Sequence, residues 1–426
     1  MKRISRYIGS FAMMKRSRKG CIRIAVDLTP MLPGGKNGGV KPAILEFLTG
    51  LQRLEVPKFN FLFLTAECTH GEIRAIASEH DELLLMDVKT APKARRPSFL
   101  RRRRADLLYA PFGMISYPNC GIPIVAMVVD VLHRDYALSI DERERHWREN
   151  YFRQMVSCAD RFQVISDYTG ESLRRHYGVA AEKIFRTYLP IQDRLKVAQT
   201  HPQDAEPYFF YPANFWPHKN HEVLLIAYQI YRSQAGPGAW KLVLTGSDDP
   251  RKRMLQKLAV SLGIESHAVF KGYVSEAELA RLFSSASALV FPSLYEGFGI
   301  PVVEAMNLGV PVVTSESGSL GEVVGEAALK VDPRKPLELA SAMHRIATSA
   351  SLRDSLRQRG WERAHAFSLD AEVARLANVF QELLRSPRKS SLSQRLSLRF
   401  KSVRKDASRR PGALGARLSR FIRDRV

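Results

Sequence analysis

The sequence predicts an α/β protein with two doubly wound parallel sheets. Short apolar, β-branched runs alternate with longer amphipathic runs over most of the 426 residues, as strands joined by crossover helices do. One polar stretch without periodicity, QDRLKVAQTHPQDAEP at 192–207, interrupts the alternation. The length, at roughly 150 residues per domain, accommodates two to three domains.

Before the break, strands are predicted at Ile22–Val26, Phe61–Leu64, Leu107–Tyr109, Pro123–Val129 and Arg161–Ile165. After it they are predicted at Tyr208–Tyr211, Lys241–Leu244, Ala268–Phe270, Ala288–Phe291 and Pro311–Val313. Helical spacing lies between them, as in Val223, Leu224, Ala227, Tyr228 and Tyr231. The organisation read from this is a basic arm at 1–20, a first α/β domain at 21–195 and a second at 205–370. A closing helix at 371–386 and a basic tail at 387–426 complete it.

Hydrophobic residues make up 45% and charged residues 25%, ordinary globular values that exclude a disordered or fibrous chain. The longest apolar stretch, Ile122 to Val129, is far short of the roughly 18 residues of a membrane span. The net charge is +22, and three segments carry the excess: 1–23, 92–104 and 387–426. The body between them is slightly acidic, so the basic ends suggest an anionic neighbour. In the tail, Leu392, Leu396, Phe400 and Val403, then Leu414, Leu418, Phe421 and Ile422, stand at helical spacing among arginines and lysines. That pattern fits either basic amphipathic helices on an anionic membrane surface or a solvated, disordered tail. Nucleic acid is disfavoured as a partner because no recognition fold accompanies the charge.

Cys21, Cys68, Cys120 and Cys158 are scattered; this fits a reducing, cytoplasmic setting and argues against a disulfide framework or structural zinc. The basic run Lys15–Lys19 follows the apolar stretch of the N-terminus, which reads as a solvated arm and not a signal peptide. No cluster of histidines or carboxylates has metal-ligand spacing, so no metal is expected.

Four stretches can carry chemistry. The most informative is PSLYEGFGIPVVEA, from Pro292 to Ala305, between a strand and a helix. Gly297 and Gly299 allow a ligand or backbone to approach closely, and Pro301 suits a first helical turn. The helix start, with Ile300, offers free N–H groups to a phosphate or sugar. Glu296 and Glu304 flank the turn, and carboxylates suit vicinal hydroxyls. The second stretch, PANFWPHKNH from Pro212 to His221, places Lys219 near another helix start, where a lysine neutralises an anion. The third, Gly34-Gly-Lys-Asn-Gly38-Gly39, follows the first strand. It lacks the spacing of a dinucleotide fingerprint or a P-loop, which disfavours a dehydrogenase or P-loop enzyme. The fourth, Val129-Asp130-Val-Leu-His133, leaves an apolar strand and can act on a hydroxyl.

Together these stretches resemble the family-4 retaining glycosyltransferases of the GT-B fold, over most of residues 20–385. Glu296 to Glu304 looks like that family's E-x7-E signature. Ala213 to Asn220, the glycine loop, Ser319-Leu-Gly-Glu322 and Ala327 to Pro333 support the likeness. The resemblance implies two Rossmann-like domains facing a central cleft, the second binding a nucleotide-sugar and the first an acceptor. It implies that Lys219, with Asn214 and Asn220 beside it, meets the donor diphosphate. Glu304 would hold the ribose, and Glu296 with Gly297, Phe298, Gly299, Ile300 and Pro301 the sugar. Gly38 and Gly39 would bring the first domain's backbone to the donor, and Asp130 and His133 would serve the acceptor side. No cofactor is implied; the donor is a GDP- or UDP-sugar.

The chain departs from the family pattern twice. Val129 stands where many members have histidine, and Ala213, Asn214 and Phe215 stand where many have an arginine. The implied reaction moves a hexose, by resemblance mannose, to a glycan or lipid-linked glycan with retained configuration, at the inner face of the cytoplasmic membrane. A nucleotide-sugar epimerase on the same fold, or a non-catalytic scaffold bound to membrane or nucleic acid through the basic ends, is the alternative reading.

Overall fold

The computed structural model describes residues 21–87, 98–191 and 206–385. The basic arm, the tail at 387–426 and nearly all of the stretch at 192–207 lie outside the described residues. Both sheets belong to one compact unit that extends to Gln381; of the separate unit that begins at Glu382, only the helix end through Arg385 is described.

The first sheet contains β1 (Cys21–Leu28), β2 (Lys58–Thr65), β3 (Glu82–Leu85), β4 (Leu107–Ala110), β5 (Ile124–Val128), β6 (Arg161–Val164) and β7 (Ile184–Arg186). Its seven strands run in the order β3-β2-β1-β4-β5-β6-β7. The second contains β8 (Tyr208–Pro212), β9 (Lys241–Thr245), β10 (Ala268–Gly272), β11 (Ala288–Phe291), β12 (Val312–Ser315) and β13 (Leu329–Val331). Its six strands run in the order β10-β9-β8-β11-β12-β13. Every pairing is parallel.

Central strands β4, β5, β11 and β12 are buried along their whole length. A parallel sheet covered on both faces demands such continuous apolar runs. Three strands were not predicted: β3, β7 and β13. Each is a sheet edge of three or four residues. Most of their side chains are only partly buried, and runs of three or four residues are too short to separate from turns by pattern.

The strand order reverses between β1 and β4 and again between β8 and β11. Ligands of open α/β sheets bind beyond the strand ends at such reversals. The segments that leave β1, β8 and β11 are the glycine loop, the Lys219 stretch and the Glu296 stretch.

The two halves meet through specific groups. Ser166 caps the helix Asp167–Tyr177, accepting from Thr169 N at 3.1 Å. The free amides of Asp167 and Tyr168 donate to Glu322 of the second half, at 2.8 and 3.1 Å. A carboxylate suits a helix start because it satisfies orphan amides and the positive end of the dipole. The last helix, Leu369–Arg385, returns to the first half. Phe380 packs on Tyr109 at 5.4 Å and Phe59 at 6.3 Å between ring centres. Gly50 leaves room for Val373 there, since a Cβ would lie 2.6 Å from a Val373 methyl. Where the chain leaves the first half, Ile191 N donates to Phe367 O at 3.2 Å.

Replacing Glu322 with alanine strands two helix-start amides. A loss of about 1–2 kcal/mol is expected, as for other cap removals, read as a lower urea midpoint. An unchanged midpoint would remove Glu322 from the forces joining the halves.

Candidate active site

The loops after β8 and β11 are laced together. Asn220 has a left-handed backbone (φ 63), a conformation asparagine tolerates better than most residues. Its amide nitrogen donates to the carbonyls of Pro292, at 3.0 Å, and Pro333, at 2.7 Å. Tyr211 donates to Lys219 O at 2.6 Å, and Leu294 N to His218 O at 2.7 Å. These bonds aim Lys219 at Glu296: Nζ lies 2.6 Å from Oε1, with the side chains 13% and 11% exposed. The ammonium also stands 5.5 Å from the centre of the Phe291 ring.

Glu296 is fixed from behind. Ser319 donates through both N and Oγ to Glu296 O, each at 3.1 Å. Gly299 (φ 96) opens the helix Ile300–Asn307, with Pro301 in its first turn. Glu304 is buried within that helix, 3% exposed. Lys219 and Glu296 thus meet beyond the second sheet, next to the start of the helix that carries Glu304.

Phe298 does not face outward. Its ring lies 5.8 Å from Tyr188 and 5.6 Å from Phe367, so it anchors the loop. Gly297 touches the first half so closely that a Cβ would overlap the Val129 carbonyl oxygen and come within 3.2 Å of Asp130 Cβ. Ser166 donates to Gly297 O at 2.9 Å. The Tyr295 hydroxyl accepts from Val131 N at 3.0 Å and donates to Asp135 at 3.4 Å.

Asp130 therefore lies at the junction. It accepts from Leu132 N at 3.0 Å and from Arg148 at 3.1 Å and is partly exposed. The structure places the His133 ring in the interior of the first half. The side chain has no exposure. Its Nε2 meets the Tyr177 hydroxyl at 2.6 Å, and its ring packs on Phe152 at 4.5 Å. Burial, with Arg148 next, pushes its pKa down to about 4, so the ring is a neutral piece of the interior.

The glycine loop is held by Lys41, a residue that no motif marks in the sequence. Lys41 is buried, donates to Leu32 O and Gly34 O at 3.0 Å each, and pairs with Glu72. Gly38 (φ 57) and Gly39 then lead into the helix Val40–Arg53. Gly35 faces the second half: a Cβ there would stand 3.1 Å from the Tyr273 hydroxyl. Asn214 accepts from Ser247 N and Oγ at 2.9 and 2.7 Å. That position ties two loops and offers no cation. Tyr295 and Ser166 act across long sequence separations, and Arg148 and Lys41 across shorter ones. Only Ser166, followed three residues later by Thr169 at a helix start, carried a local capping signal.

His218 and His221 are buried beside Lys219. Burial first, and the Lys219 charge second, push both down to about 3. His221 lies between the rings of Tyr211 and Phe215, 4.8 and 5.0 Å away. Among the described residues no helix is long and apolar enough to cross a membrane.

Two family models match the chain: Glycosyltransferase Family 4 over residues 71–193 and Glycosyl transferases group 1 over 193–363. The O-antigen chain mannosyltransferase B of Escherichia coli is 29% identical, over 74% of this chain and 84% of its own. The O-antigen chain mannosyltransferase RfbU of Salmonella typhimurium is 32% identical, over 43% of this chain and 50% of its own. Among solved structures, a glycosyltransferase from Rickettsia africae superposes with a TM-score of 0.67 at 13% identity, covering 86% of this chain and 99% of its own. Anabaena HepE in complex with UDP and glucose superposes at 0.67 with 16% identity, covering 85% and 100%.

Two outcomes follow from the geometry. Gly297→Ala pushes a methyl group into the Val129 carbonyl and should cost about 1–3 kcal/mol in denaturant. Gly71→Ala, where a Cβ meets nothing within 4 Å, should cost nothing; equal effects would deny the close approach. Below pH 6.5 the unfolded chain gains protons that the buried His221 refuses. Stability should therefore fall as pH drops from about 6.5 towards about 3. Between pH 7 and 5, His221→Phe should lose about 1–2 kcal/mol less than the unmodified protein, and parallel pH profiles would contradict this.

Proposed function

The chain belongs to the group 1, family-4 glycosyltransferases, retaining enzymes of the GT-B fold, and from that premise we propose that it transfers mannose from GDP-mannose to a hydroxyl of a glycan or lipid-linked glycan. The observation that carries the site assignment is the meeting of Lys219 and Glu296 at the strand-order reversal of the second sheet. The choice of mannose is supported by the two similar enterobacterial proteins, both named as O-antigen mannosyltransferases.

In this reading the donor diphosphate lies against Lys219 and the amides that open Ile300–Asn307. As the bond to the sugar breaks, negative charge grows on the departing diphosphate. An ammonium held in place, with little water around it, stabilises that charge more than bulk solvent does. Glu304 takes the ribose hydroxyls, and Glu296, with the backbone at Gly297 to Gly299, takes the sugar. A bound donor divides the Lys219–Glu296 pair: the phosphate takes the ammonium and the sugar hydroxyls take the carboxylate. Asn214 and Asn220 hold the loop that carries Lys219. Gly38 and Gly39 close the donor side from the first half.

The acceptor hydroxyl approaches past Asp130, whose carboxylate Arg148 orients. Retention follows from attack on the face the diphosphate leaves, with the phosphate oxygen taking the acceptor proton. A covalent route needs a carboxylate nucleophile poised at the sugar carbon. In this reading the Glu296 carboxylate is engaged by the sugar hydroxyls, and Asp130 is paired with Arg148, so neither serves as that nucleophile. The basic segment 387–426 is assigned to an anionic membrane surface on its charge and spacing alone, which puts the lipid-linked acceptor at the inner face of the cytoplasmic membrane.

Lys219→Ala should lower kcat/KM for transfer about 100-fold or more, the range seen when a single charge-stabilising donor is removed, while circular dichroism stays native. Unchanged turnover defeats the site assignment. In a thermal-shift series, GDP-mannose at 100 times its Kd should stabilise by about 2.7 kcal/mol. Stabilisation by UDP-sugars alone would overturn the choice of donor.

A further inference from the structure

On the first half lies an open depression of about 370 Å³ that the donor site does not use. Arg134, Glu149, Arg153, Ser157, His176 and Tyr177 line it. We propose that this depression binds an oxyanion, a phosphate or a carboxylate, carried by the acceptor. The proposal rests on the transferase reading above and extends it to the charge of the acceptor.

The charge arrangement favours an anion. Glu149 is the carboxylate in the wall of the depression, and it is saturated. It accepts from Arg134 Nε at 2.8 Å and Nη2 at 2.5 Å, from Arg153 Nε at 2.6 Å and from the Tyr177 hydroxyl at 2.9 Å. Burial alone would raise its pKa, but Arg134, Tyr177 and Arg153 outweigh that and hold it at about 2. One carboxylate thus serves two guanidinium groups. Among the described residues Arg153 bonds through Nε alone, and its side chain is 68% exposed. Its outer N–H fork is left for a ligand, while Arg134 is held by Glu149 and lies over the Tyr177 ring. A guanidinium fork matches phosphate and carboxylate geometry.

On the opposite wall the carboxylate of Asp135, behind His176, is buried and paired with Arg175. His176 bonds Asp135 at 2.7 Å and Arg175 bonds it at 2.9 Å. Asp135 also meets the hydroxyl of Tyr295, next in sequence to Glu296. That wall and the loop that holds the proposed sugar site are therefore joined by two side chains. The neutral His133 ring closes the floor through its bond to Tyr177. This gives a role to a buried histidine that the donor and acceptor chemistry leaves aside.

The test compares the full chain with Arg153→Ala by calorimetry, using mannose 6-phosphate, glucuronate and methyl α-mannoside as probes. Any phosphate binding at Lys219 is common to both proteins and cancels. Removing the fork should weaken mannose 6-phosphate, glucuronate or both about tenfold, while methyl α-mannoside moves less than twofold. Whichever charged probe weakens identifies the oxyanion. Arg153→Lys, which keeps the charge but not the fork, should fall between the two proteins. Equal effects on all three probes, or none, overturn the proposal. GDP is titrated into the same proteins: if neither binds it while the charged-sugar difference persists, the donor reading fails and the oxyanion site stands without its acceptor role.

Discussion

The closeness of the Gly297 backbone to the Val129 carbonyl is the constraint on which the rest of the site depends. No side chain fits between them, so the two halves meet backbone to backbone. Ser166 and Tyr295 then bond across the same seam, and Glu322 caps a helix on the other side of it. A glycine here does more than permit a turn. It sets the distance between the loop that holds Glu296 and the strand exit that holds Asp130.

Within that frame a few charges do most of the electrostatic work. Lys219 is partly buried, its charge met by Glu296 and by the face of the Phe291 ring. The neighbouring histidines are kept neutral by burial and by that same ammonium. Asn214 ties its loop to Ser247. In the proposed reading Lys219 and the helix dipole supply the positive charge on the donor side, and the Arg148 guanidinium pairs with Asp130 in the first half.

The fold was legible in the sequence wherever strands are buried on both faces, because a short, continuous β-branched run between turns forms little besides a central strand. It was illegible at β3, β7 and β13, where short edges leave their side chains only partly covered. In the site, Lys219, Glu296, Gly297 and Glu304 stood out because strand-to-helix turns concentrate glycine, proline and charge in one stretch. Tyr295 was within the same stretch, yet its partner Val131 is 164 residues away, and no local pattern encodes such a contact. Lys41 looked like an ordinary first-turn lysine, and its burial depends on where the glycine loop folds. His133 shows the opposite case. A histidine near an aspartate at a strand exit suggests chemistry, but Phe152 and Tyr177, which enclose it, come from helices later in the chain.

The return of the last helix has a mechanical consequence. The chain leaves the first half at Ile191 and comes back just after Phe367, and one hydrogen bond joins those two points. Two covalent crossings placed side by side act as paired pins of a single pivot. Sliding of one half past the other would have to break that hydrogen bond and unseat Phe380 from between Phe59 and Tyr109. At Gly297 and Val129 backbone already touches backbone, so the halves cannot come closer there.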